Sequence, residues 1–96
     1  MFLLLLNYVK PLSEVDRFVG EHREFLERYY ASGHFLLSGR KEPRSGGVIL
    51  ARADNRQAIE QIVRQDPFSR EGIAEYQIVE WLPSMSAPEL AQLKDG

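Results

Sequence analysis

The opening strand of this chain is apolar on both of its faces, and that limits the folds open to it. In the extended segment Phe2 to Tyr8, Phe2, Leu4 and Leu6 fall on one side and Leu3 and Leu5 on the other. A later segment, Val48 to Arg52, repeats the pattern, with Val48 and Leu50 on one side and Ile49 and Ala51 on the other. A sheet with one solvated face alternates apolar and polar residues instead. This sheet is therefore expected to be covered on both sides. The chain has 96 residues, enough for one domain with a modest core. Its own helices supply one cover. A second copy of the same chain is the simplest source of the other, giving a homodimer through the open sheet face. The competing cover is the C-terminal tail, residues 84–96, packing on the partner subunit.

Punctuation along the chain sets the remaining elements. Pro11 and Ser13 open a helix, with Ser13 as N-cap and Asp16 in a capping-box-like place. Val15, Phe18, Val19, Phe25, Leu26, Tyr29 and Tyr30 follow helical spacing to about Ser32, and Gly33 ends the run. A second strand spans Phe35 to Ser38 and stops at Gly39. Lys41 to Gly47 is a charged turn with Pro43 and two glycines, expected to be mobile and to close over a ligand. Beyond the third strand, Asp54 caps a second helix, with Gln57 in the box position, ending near Gln65. A loop, Asp66 to Gly72, leads to a fourth strand from Ala74 to Leu82. A short helix is expected after Pro88. The order is βαββαβ, the ferredoxin-like plait. It makes residues 1–83 an α+β domain whose four-stranded antiparallel sheet carries two helices on one face.

Two titratable residues interrupt the apolar faces. His22 occupies the i+7 position from Val15, in the middle of the buried stripe of the first helix. Ala58, Ile59, Ile62 and Val63 form the inward face of the second helix, and the next position on that face is Asp66. Each has an ordinary explanation. A histidine in a core has its ring nitrogens satisfied by backbone or water. An aspartate before proline ends a helix, because the proline disfavours helical backbone at the preceding residue. The pair carries more weight, because the plait brings both to one end of the sheet. The same end collects Tyr8, Ser38, Gly39, Arg40, Gly46, Gly47 and Tyr76. His22 lies nine residues beyond Ser13, about 13 Å down the helix axis.

Composition narrows the function classes. The net charge is −2 and the basic residues are scattered, apart from the short group Arg40, Lys41 and Arg44, so nothing resembles a nucleic-acid footprint. With no cysteine, disulfides, thiolate metal sites and a cysteine nucleophile are excluded. The only other histidine, His34, has no metal-ligand spacing to His22, so no metal or other cofactor is expected. The start, Met1 to Leu6, lacks the basic region and cleavage site of a signal peptide and reads as a buried strand. No segment is long enough to span a membrane, and a cytoplasmic location is the expectation.

Several short motifs, taken in order, resemble the YciI-like (YCII-related) family of the dimeric α+β barrel superfamily. They are His22 in the first helix, Leu36-Leu37-Ser38-Gly39 closing the second strand, Gly46-Gly47 opening the third, and Asp66-Pro67-Phe68 with Gly72-Ile73 before the last. The resemblance covers about residues 2–82. It implies a homodimer, and a dyad of His22 and Asp66 in a small pocket. Arg40 departs from the family pattern, standing where many members have proline. The superfamily hosts many reactions, so the resemblance does not name one.

The enzyme reading is cofactor-free acid–base chemistry of an isomerase or lyase type. His22 and Asp66 are the catalytic pair: His22 moves a proton on a small organic molecule, and Asp66 orients it. Ser38, Gly39, Arg40, Tyr8 and Tyr76 are the candidate substrate-binding residues. The Ser38 hydroxyl or a neighbouring backbone N–H holds a developing oxyanion, and Arg40 attracts a carboxylate or enolate. The alternative is a non-catalytic ligand-binding or structural homodimer, in which the same pair is a buried hydrogen bond. A hydrolase reading lacks support, because Ser38 is not in a G-x-S-x-G elbow.

Overall fold

The computed structural model describes residues 1–94. The elements are β1 (Phe2–Tyr8), α1 (Leu12–Ala31), β2 (Phe35–Arg40), β3 (Gly46–Ala51), α2 (Arg56–Val63), α3 (Pro67–Arg70) and β4 (Ala74–Glu80), followed by a 3₁₀ turn at Pro88–Leu93. The four strands form one antiparallel sheet in the order β2-β3-β1-β4. This is the α+β plait, with one extra helical turn between α2 and β4. Among the described residues no helix is long and apolar enough to cross a membrane.

The core lies between the sheet and the helices. Phe2, Leu4 and Leu6 of β1 are buried, and so are Ile49 and Ala51 of β3. Against them pack Val15 and Phe25 of α1, with Phe18, Val19, Leu26 and Tyr29 partly buried beside them. Ile59, Ile62 and Val63 bring in α2. Leu3, Leu5, Val48 and Leu50 point the other way and remain partly exposed. Leu37 on the same face is 68% exposed.

Several boundaries differ from the sequence reading, each for a local reason. Helix α1 begins at Leu12, so Ser13 is inside it and caps nothing. Pro11 holds φ −59° and ψ 153°, and its carbonyl accepts from the Glu14 and Val15 amides at 2.9 and 3.1 Å. The cap of α2 is Asn55 rather than Asp54. Asn55 is extended, and its side chain accepts from the Ala58 amide at 2.9 Å. Helix α2 ends at Val63, not near Gln65, and β4 ends at Glu80, short of Leu82. Strands β2 and β3 are longer than expected, reaching Arg40 and beginning at Gly46, so they form a hairpin closed by the charged turn.

That turn is not a free flap. Lys41 Nζ donates to Asn7 Oδ1 at 2.6 Å, and Arg44 Nη2 to Asp16 Oδ1 at 2.6 Å. The Tyr8 amide donates to the Ser45 carbonyl at 2.9 Å, extending the β1–β3 ladder into it. The described part of the tail forms its 3₁₀ turn with no residue buried. The last two residues of the 84–96 segment lie outside the described residues.

Candidate active site

The site is built from a helix interruption. Proline at 67 keeps Asp66 out of helical backbone, at ψ 126°, and takes the first position of α3. The Asp66 carbonyl then accepts from the Ser69 and Arg70 amides at 2.9 and 3.0 Å. Its side chain turns back to cap α3, Oδ1 accepting from the Phe68 amide at 2.9 Å. Capping and pairing are not competing roles for this residue. The same Oδ1 meets His22 Nδ1 at 2.8 Å, and Tyr76 donates its hydroxyl to Oδ2.

Asp66 is wholly buried, and the His22 side chain is 16% exposed. A carboxylate removed from water is tolerated only when its oxygens are well supplied with donors, and here three donors converge on two oxygens. The imidazole is held a second way. It stacks on the Phe68 ring at 4.1 Å between centroids and 8° between planes. Phe68 is set in turn by an edge contact to Tyr8 at 5.9 Å. With Nδ1 donating to the carboxylate, Nε2 is the free ring nitrogen, without a hydrogen-bond partner among the described residues.

His22 borders a cavity of about 280 Å³ between α1 and the β1–β3–β2 end of the sheet. Leu6, Ile49 and Phe68 supply its apolar lining, and Tyr8, Ser38, Gly39 and Arg40 its other side. Ser38 Oγ accepts from the Tyr30 hydroxyl at 2.5 Å, which leaves its own proton to donate. Tyr76 is not on the cavity wall. It stands behind Asp66, so its contact is with the carboxylate rather than with the open space. Burial, reinforced by the Asp66 charge, raises the Tyr76 phenol far above its ordinary pKa and keeps it a donor.

Three cavity residues stand outside the candidate site residues of the sequence analysis. Phe68 belongs to the Asp-Pro-Phe segment, but nothing in that segment signals a ring stacked on His22. Arg23 adjoins His22 in sequence and reads as an ordinary solvated helix charge. Arg44 lies in the turn. Its hydrogen bond to Asp16, more than any other contact, raises its pKa and outweighs the effect of desolvation. Among the described residues no three His, Asp or Glu side chains are grouped as metal ligands.

The YCII-related domain matches residues 1–82 of the chain. A similar solved structure is the 5-chloro-2-hydroxyhydroquinone dehydrochlorinase from Burkholderia phenoliruptrix AC1100, in complex with 2,5-dihydroxybenzoquinone. It is 18% identical, with a TM-score of 0.67, over 86% of this chain and 95% of that one. No curated protein matches.

Proposed function

From a chain that belongs to the YCII-related domain family, we propose a cofactor-free acid–base catalyst acting on a small organic molecule. The observation that carries it is the His22–Asp66 contact of 2.8 Å at the edge of a cavity, with Nε2 left free. In this reading Nε2 removes a proton from carbon. Asp66 stabilises the imidazolium that forms and holds the ring in place. Ser38 and a backbone N–H near Gly39 steady the oxyanion created when the electron pair moves into a conjugated carbonyl. Returning the proton elsewhere completes an isomerisation. Expelling a leaving group with its electron pair completes an elimination, and the imidazolium then gives its proton to water. The dehydrochlorinase neighbour supports including elimination substrates in the search.

The test is proton–deuterium exchange and chloride release on a panel of small keto acids and chlorinated hydroquinones, followed by NMR. A substrate turned over by the wild type is expected to lose about 10²–10⁴-fold in rate in His22→Ala and Asp66→Asn. Variants that keep the wild-type rate and lose only melting temperature would refute the catalytic role. The second reading, a non-catalytic pair, draws support from one observation. Asp66 caps α3 and binds Tyr76, and neither contact needs a substrate. The proposal also includes a homodimer through the open sheet face, in the cytoplasm.

A further inference from the structure

The whole chain carries 14 acidic and 12 basic residues. The cavity beside His22 departs from that balance. Its lining includes Arg23, Arg40 and Arg44 and no Asp or Glu. Arg44 is committed to Asp16. The side chains of Arg23 and Arg40 have no hydrogen-bond or ion-pair partner among the described residues. One comes from the helix wall and the other from the end of β2, and both are exposed, as expected at a mouth rather than a floor. Inside, Leu6, Ile49 and Phe68 are buried and apolar.

We infer that this cavity takes a small, flat organic anion, a carboxylate or an acidic enol, with its ring against Phe68 and His22 and its charge towards Arg23 and Arg40. The inference rests on reading the cavity as the ligand site, but it requires no turnover. The size agrees, since about 280 Å³ lies at the lower end of small-molecule pockets. The chemistry agrees as well. A guanidinium matches a carboxylate with two parallel N–H donors, and a low-dielectric wall behind it strengthens the attraction. An anion placed here also brings negative charge close to the developing oxyanion of an acid–base step, and the two arginines offset that cost.

Benzoate and benzamide are probes of nearly equal shape that differ in charge. Their binding is measured by amide shift perturbation and calorimetry in low salt. Benzoate is expected to bind at least about tenfold tighter than benzamide. Arg23→Gln and Arg40→Gln are each expected to cost benzoate about three- to tenfold, and the double variant to remove the preference. Arg64→Gln, at the exposed position just beyond α2, serves as the control for overall charge. Raising salt tenfold should weaken benzoate and leave benzamide unchanged. Benzoate binding is read without turnover, so loss of catalysis and loss of anion recognition are separate results. Equal affinities for the two probes would overturn the inference, as would no benzoate shift at cavity amides, a preference surviving in the double variant, or one lost equally in the Arg64 control.

Discussion

Asp66 shows how much one buried carboxylate can organise. It caps α3, orients His22 and receives the Tyr76 hydroxyl. Removing a single donor from such a group leaves a charged oxygen short of a partner in a place water does not reach. Tyr76→Phe keeps the ring and removes only the O–H. It is expected to destabilise the fold by about 1–3 kcal/mol, read as a fall in melting temperature. The same variant has a pH signature. The folded-state Tyr76 pKa is raised, so the stability tied to it is fully present below the ordinary tyrosine value near 10. Above that pH the unfolded chain releases this proton and the folded chain keeps it. Stability therefore falls by about 1.4 kcal/mol per pH unit from this group. Denaturant titrations between pH 9 and 11 should show a shallower decline in Tyr76→Phe than in wild type. Identical slopes would mean that the phenol titrates normally in the folded protein.

At the scale of elements, periodicity was the dependable signal, and short-range capping was not. The stripe of Val15, Phe18, Val19, His22, Phe25, Leu26 and Tyr29 is the buried side of α1, and the alternation of β1 separates core from open face as the pattern requires. Capping failed at Ser13 because the helix begins ahead of it, behind Pro11 and with no side-chain cap, and at Asp54 because the adjacent Asn55 takes the extended backbone and caps instead. The extra turn α3 was legible only in part. The Asp-Pro step marks a break, but whether a loop or a helix follows depends on the packing of α3 against α1 and β4. The site was readable where it depends on topology, which brings Asp66 to His22. Tyr76 was placed at the correct end of the sheet, yet which surface its hydroxyl reaches depends on the depth of Asp66. A further element-level feature is the β1–β3 seam at Gly46, opposite Asn7. A Cβ built there would sit 1.8 Å from the Leu6 carbonyl oxygen, a backbone atom unable to yield without shifting the strand. Gly46→Ala is expected to cost about 1–3 kcal/mol or more, lowering the melting temperature and disturbing the cavity wall. A stability within about 0.5 kcal/mol of wild type would show that the seam gives way easily.

The molecule as a whole leaves one large surface unresolved by its own chain. Leu3, Leu5, Val48 and Leu50 form a continuous apolar strip across β1 and β3, with Leu37 and Val79 at its edges and Trp81 just beyond β4. Leu50 sits at the middle, paired with both Leu3 and Leu37. The described part of the tail does not answer for this surface within one chain. None of Pro88–Leu93 is buried, and Leu90 is 48% exposed. Apolar sheet faces of this extent are normally covered, and a two-fold pairing of like faces satisfies both copies at once. A dimer formed this way should bury more than about 2,000 Å² in total. It should persist at micromolar concentration in sedimentation velocity. Leu50→Lys places a charge in the middle of the strip, on the side away from the core, where the monomer itself does not need the leucine. The variant is expected to sediment as a monomer with an unchanged far-ultraviolet spectrum. A wild-type protein that sediments as a monomer at about ten micromolar would rule the pairing out.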